Sequence, residues 1–210
     1  MGMKTMTKKE TAITWMIETA NNKSHGYDQR YRWGERGDYD CASAVITAWE
    51  SAGVHVKSAG ATYCGNMYSA FRKCRFKDVT KNTILATGYG LKRGDVLLNP
   101  HHHTAMYIGN GQIVQASINE RGTVTGGTPG DQTGREFYIR SYYNFPWTYV
   151  LRYVEKKKNT KTVKKTNAEI AHEVLRGLWG NGSDRTRRLR KAGYDPIVIQ
   201  CIVNTLISSK

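Results

Sequence analysis

Gly109-Asn110-Gly111 separates two short runs that alternate in strand fashion, one over 103–108 and one over 112–117. Gly and Asn reach positive φ at little cost, so this tripeptide closes a tight hairpin between antiparallel neighbours. An antiparallel sheet in the second half of the chain follows. Leu91-Lys92-Arg93-Gly94-Asp95-Val96-Leu97-Leu98-Asn99 reads as a turn feeding another strand, and a Gly/Thr-rich loop over 122–134 leads to a last pair at 136–141 and 148–154. The first half has helical spacing instead. Residues 10–20 place Ala12, Ile13, Trp15, Met16 and Ile17 along one side. Residues 41–52 do the same with Ala44, Val45, Ala48 and Trp49 before Gly53 stops them, and 66–72 suggest a third helix. Helices followed by an antiparallel sheet predict an α+β domain.

A boundary follows that domain. Residues 155–166 hold six lysines without an apolar pattern, which reads as a solvated, self-repelling linker. Beyond it three short helices are punctuated by their capping residues. The first spans 167–178, with Ile170, Val174, Leu175 and Leu178 on one side, and ends at Gly180-Asn181-Gly182. Ser183 caps a second over 184–191, and Asp195 caps a third that has Pro196 in its first position and runs to about 208. The expected organisation is an α+β domain at 1–154, a linker at 155–166 and a small three-helix bundle at 167–210.

The formal charge of +15 implies an anionic partner: nucleic acid, a membrane surface or a wall rich in teichoic acid. Nucleic acid is disfavoured, because no RNP, helix-turn-helix or zinc-finger signature is present and many lysines sit in the linker. No segment approaches about 18 consecutive apolar residues, so stable membrane insertion is not expected. The first ten residues lack the apolar core of a signal peptide, which predicts synthesis in the cytoplasm. Cys41, Cys64, Cys74 and Cys201 show no CxxC spacing. Neither a metal site nor a disulfide framework is expected, and no cofactor. Cys64, Cys74 and Cys201 read as structural thiols, with Cys201 on an apolar helical face.

Cys41 reads differently. It follows Gly37-Asp38-Tyr39-Asp40 and opens the second helix. Free N–H groups and the positive end of the helix dipole stabilise a thiolate there. His103, first in its strand, is the expected base. Successive strand residues alternate faces, so His101, His102 and His103 cannot all serve one site. Gln115 is the expected orienting group, with Asn119 and Glu120 as alternatives. A three-residue hairpin loop puts Gln115 opposite Ala105 on the His103 face, and a two-residue loop puts it on the other. Asp40 either caps the helix or binds a substrate amine, and capping is the simpler reading. The Cys41 backbone N–H would meet an oxyanion. Tyr27, Tyr31 and Trp33 precede the nucleophile, where aromatics suit a groove for peptide or sugar.

Asp40-Cys41 opening a helix, the Leu91 to Val96 turn and His103 to Gly111 together resemble the NlpC/CHAP superfamily of papain-like cell-wall hydrolases. Phage lysin amidase or endopeptidase domains are similar also at His25-Gly26-Tyr27-Asp28, Arg32-Trp33-Gly34 and Gly126-Gly127-Thr128-Pro129-Gly130-Asp131. The resemblance covers about 8–153. It implies a papain-like fold, a Cys41–His103–Gln115 triad, and cleavage of an amide in the peptide part of peptidoglycan. Relatives often carry Ser after the Cys where this chain has Ala42. The tail, from Glu169-Ile170-Ala171-His172-Glu173 through Trp179-Gly180-Asn181-Gly182, Arg188-Leu189 and Ala192-Gly193-Tyr194-Asp195, resembles the CW-seven wall-binding repeat. That implies a Gram-positive wall as partner, with Trp179 and Tyr194 against sugar and Arg188 against carboxylate. Together the two resemblances imply an endolysin, held in the host cytoplasm until a separate pore releases it, with homo-oligomerisation as a route to avidity. The competing readings are a non-catalytic wall-binding protein and a papain-like acyltransferase.

Overall fold

A computed structural model describes residues 6–133, 135–156 and 164–208. The chain divides into two compact units, 1–156 and 157–210. Much of the expected linker, 157–163, lies outside the described residues.

The first unit is α+β, as expected. Helices α1 (Lys8–Asn21), α2 (Cys41–Ser51) and α3 (Cys64–Lys73) precede an antiparallel sheet. Its strands are β1 (Phe76–Asp78), β2 (Val96–Asn99), β3 (His103–Gly109), β4 (Gln112–Ala116), β5 (Phe137–Ser141) and β6 (Tyr149–Tyr153). Their order across the sheet is β1-β6-β2-β3-β4-β5. Strand β1 departs from the expectation. Three residues are too short to show a period of two, and β1 exists because β6 supplies a partner, Phe76 opposite Tyr153. Phe76 then meets Trp49 edge to face, with ring centroids 4.8 Å apart.

Alternation gives the sheet two apolar faces. Val96, Leu98, Met106, Val114 and Ala116 share a core with Ile13 and Met16 of α1 and with Val45 and Trp49 of α2. Leu97, Ala105, Ile113 and Val150 belong to a second core with Trp147, beside Tyr143 and Phe145. Helix α2 is enclosed nearly all round, and Ala44, Val45, Ile46, Ala48 and Trp49 are fully buried. Small alanines let it sink between its neighbours, and burial of each large apolar side chain contributes about 1.5–3 kcal/mol. The buried Asp95 accepts two bonds from Arg152, at 2.7 Å from Nε and 2.6 Å from Nη2. That pair ties β6 to the turn entering β2.

The second unit holds α4 (Asn167–Leu175), α5 (Gly182–Lys191) and α6 (Pro196–Ser208) around Ile170, Ala171, Val174, Leu189, Ile199 and Val203. Two details differ from the sequence reading. Helix α4 stops at Leu175, ahead of Gly177 at φ 78°, so Leu178 falls outside it and is exposed. Helix α5 starts at Gly182 with Asn181 as its N-cap residue, so Ser183 lies inside the first turn. The N-terminal capping box of α4 is complete, with Thr166 and Glu169 bonding each other's backbone N–H.

Candidate active site

Asp40 fixes the start of α2. Its Oδ1 accepts the Ser43 N–H at 2.6 Å, and Ser43 Oγ accepts the Asp40 N–H at 2.9 Å. Its Oδ2 takes an Arg32 N–H at 2.7 Å. Both carboxylate oxygens of this buried residue are thus engaged, so Asp40 acts as helix cap and ion-pair partner. Cys41 follows as the first helical residue and is buried.

His103 opens β3, whereas His101 and His102 are exposed in the turn before it. The register that brings Gln115 to His103 arises in an unexpected way. Gly109 pairs with Gln112, so Asn110 and Gly111 form a two-residue loop, at φ 51° and 69°. Both are in the left-handed region, which a hairpin loop of this length requires. By itself this loop would turn Gln115 away from His103. A bulge between Tyr107 and Gly109 absorbs one residue and restores Tyr107 opposite Ile113 and Met106 opposite Val114. Gln115 therefore lies on the His103 face, with its Oε1 3.0 Å from His103 Nε2.

The amide makes a second contact on β5. Gln115 Nε2 donates to the hydroxyl of Tyr138, its cross-strand partner, at 3.1 Å. With the amide oxygen on the imidazole, Nε2 carries the proton and Nδ1 is the nitrogen left for Cys41. Gln115 is fully buried. His103 also stacks on Trp147, with centroids 5.9 Å apart, and meets Phe145 edge-on at 5.6 Å.

The electrostatics separate the two groups. The Cys41 thiol is held below its ordinary value by its hydrogen bond with Cys64 and by His103, against the opposing effect of burial. Burial disfavours a charged His103, but its bond to Cys41, the thiolate charge and Gln115 outweigh that and raise it. A thiolate–imidazolium pair results over a window of pH.

The loop before α2 brings Tyr27 near Cys41. Tyr27 is buried and its hydroxyl accepts from Gln29 Nε2 at 3.0 Å. Burial raises the phenol, and the Cys41 charge nearby adds to the effect. Trp33 is half-buried, with Lys57 Nζ 3.7 Å and Arg32 Cζ 5.4 Å from its ring. Tyr31 carries Arg36 at 3.6 Å in the same manner. Sequence reasoning placed the aromatics here but not the cations that cover them.

Asn119 and Glu120 hold other positions. Asn119 organises its own turn, accepting the Thr123 N–H at 2.8 Å and donating to Thr125 O at 3.2 Å. Glu120 accepts from the Thr128 N–H at 2.7 Å. Among the described residues Glu120, Asp131 and Glu136 bring ligand-type oxygens within 4.8 Å of one another. The buried Glu136 already accepts from the Tyr27 N–H at 2.9 Å and from Thr133 Oγ1 at 2.9 Å. These bonds join the 122–133 loop to the segment ahead of Cys41.

Cys64 was the residue missed. Read as a structural thiol, it lies with its Sγ 3.7 Å from Cys41 Sγ. No sequence signal links them, because α3 reaches the site through packing. Cys74 is half-buried, and Cys201 is exposed on α6, not buried in an apolar face.

In the second unit, Trp179 Nε1 donates to Glu173 Oε2 at 3.0 Å and the ring meets Tyr194 edge-on at 6.1 Å. Both line a cavity of about 310 Å³ with Lys164, Lys165 and Ile170. Arg188 is in an ion pair with Asp184 at 2.7 Å. A larger cleft of about 580 Å³ runs between α5 and α6, lined by Arg185, Arg190, Ile197, Gln200 and Asn204 among others. Sequence reasoning did not anticipate it.

A buried thiol at a helix start, facing an imidazole that a buried amide holds, can carry out nucleophilic acyl chemistry on this α+β scaffold. The chain belongs to the endolysin-like domain family, whose pattern residues 1–112 and 113–208 match. It is also similar to a lysozyme of Streptococcus phage Cp-7, at 44% identity over 48 residues; that stretch is 23% of this chain and 14% of the relative, so most of the relative has no counterpart here. Solved structures with likeness include the P60 domain of an antigen from M. avium subspecies paratuberculosis, at 16% identity and TM-score 0.44, covering 70% of this chain and 98% of that one. The peptidoglycan hydrolase RipB of Mycobacterium tuberculosis gives 17% identity and TM-score 0.45, covering 71% and 68%.

Proposed function

We propose that this chain is a phage endolysin, a peptidoglycan hydrolase that cuts an amide of the stem peptide with Cys41 as nucleophile, His103 as acid–base group and Gln115 as its orienting partner. The bond from His103 Nε2 to Gln115 Oε1 carries the reading, since it leaves Nδ1 free to serve the thiol. Membership of the endolysin-like domain family supports the substrate class. The Cys41 thiolate attacks the amide carbon, and the Cys41 backbone N–H at the start of α2 receives the oxyanion. His103 passes its Nδ1 proton to the departing amine as the C–N bond breaks, leaving a thioester on Cys41. Water then gives a proton to Nδ1 and attacks the thioester, releasing the carboxylic acid and restoring the thiolate–imidazolium pair.

Residues 157–210 serve as the wall anchor in this reading. The Trp179–Tyr194 cavity and the cleft beside Arg185 supply aromatic and cationic surfaces suited to sugar rings and peptide carboxylates. The test is lysis of Gram-positive walls followed by turbidity, paired with wall pelleting. Cys41→Ala is expected to bind walls without lysing them. A chain ending at residue 156 is expected to bind poorly yet still cut a soluble muropeptide. Equal lysis by wild type and Cys41→Ala rejects the assignment.

A further inference from the structure

We infer that Cys64 is a positioning residue of the active site, whose thiol donates a hydrogen bond to the Cys41 sulfur and holds it as the thiolate. The inference rests on the reading of Cys41 as the nucleophile and deepens it.

The two sulfurs are 3.7 Å apart and both residues are buried. Each is the first residue of a helix, Cys41 of α2 and Cys64 of α3, so two helix starts converge on one pair of thiols. The Cys64 side of the approach is held in two ways. Asn66 Oδ1 accepts the N–H groups of Thr62 and Tyr63, at 2.8 Å and 3.2 Å, which fixes the turn presenting Cys64. Met67, Ala70 and Phe71 bury the rest of α3 in the main core.

Two thiols this close cannot both ionise, and their surroundings decide which one does. Cys41 has His103 beside it, and the bond and charge of that imidazole favour the thiolate. Cys64 instead feels the negative charges of Cys41 and Asp40, which disfavour its ionisation. The charge therefore settles on Cys41 and the proton on Cys64, which makes Cys64 the donor. The bond to Cys41, with burial, holds the Cys64 thiol above its ordinary value. A hydrogen bond to a charged group in a desolvated site is among the stronger kinds, so its loss is visible in the ionisation of Cys41.

The test is the rate of Cys41 alkylation by iodoacetamide across pH in the full chain, resolved from the other cysteines by peptide mass spectrometry. Cys64→Ala is expected to raise the Cys41 midpoint by about one pH unit or more, and to slow alkylation about tenfold below the wild-type midpoint. Cys64→Ser keeps a donor and is expected to stay close to wild type. Cys64→Val fills the space without a donor and gives the same reading as Ala if the smaller side chain destabilises the fold. An unmoved midpoint in Cys64→Ala and Cys64→Val overturns the role of Cys64. Equal shifts in the Ser, Val and Ala variants overturn it too, because packing would then be the cause. Either result is separate from the nucleophile assignment, which fails only if Cys41→Ala remains lytic.

Discussion

The imidazole of His103 lies against the indole of Trp147, with the two ring planes 26° apart and the centroids 5.9 Å apart. Trp147 is itself buried, between Tyr143, Phe145 and the outer face of the sheet. It shields the bond between His103 and Gln115 from water, and hydrogen bonds are stronger where water is excluded. Trp147→Leu is expected to lower turnover on a soluble muropeptide about tenfold, on the scale of one weakened hydrogen bond. Unchanged turnover in a folded variant contradicts that role.

Gln115 offers a sharper comparison. Gln115→Ala leaves the His103 Nε2–H without an acceptor and frees the ring to rotate. Turnover is expected to fall about 10–100-fold, as for the loss of a hydrogen bond to a charged group. Gln115→Asn keeps the amide on a shorter arm and is expected to retain more activity than Ala. Steady-state kinetics of the two variants decide the matter.

The pH dependence follows from the direction of the two shifts. Cys41 ionises below the ordinary thiol range, so activity rises on the acid side well before the free-thiol value of about 8.5. His103 keeps its proton above the ordinary imidazole value, so activity falls only when pH passes that raised point. A bell with both limbs displaced in these directions is expected in kcat/KM against pH. A single rise near the free-thiol value contradicts the ion pair.

Asp95 tests the fold apart from the chemistry. Its carboxylate is fully buried and receives Arg152 through two bonds, plus the Lys92 N–H at 2.8 Å. Asp95→Ala strands the guanidinium and is expected to cost about 3–5 kcal/mol, measured by denaturant unfolding. A loss below about 1 kcal/mol, the range of an exposed pair, contradicts that view of the site.

The sequence made the local features of this molecule readable and left its long-range approaches hidden. Helix α2 and its cap were legible because Asp40 closes a loop rich in Gly and Asp ahead of a regular alanine spacing, while the Ser43 half of the capping box emerged only in the structure. The hairpin was legible from Gly109-Asn110-Gly111. The bulge that sets its register was not, since Ile108 looks like any other strand residue. Cys64 was hidden for a different reason. It is 23 residues from Cys41, and only the packing of α3 brings them together. The cations over Trp33 and Tyr31 likewise come partly from elsewhere in the chain, as Lys57 shows.

The most direct measurement is digestion of purified Gram-positive peptidoglycan by the wild type and by Cys41→Ala, with products identified by mass spectrometry. New amine and carboxylate termini in stem peptides from the wild type alone are expected, and their masses name the bond cut. The same termini appearing at comparable rates with Cys41→Ala would contradict a Cys41 nucleophile.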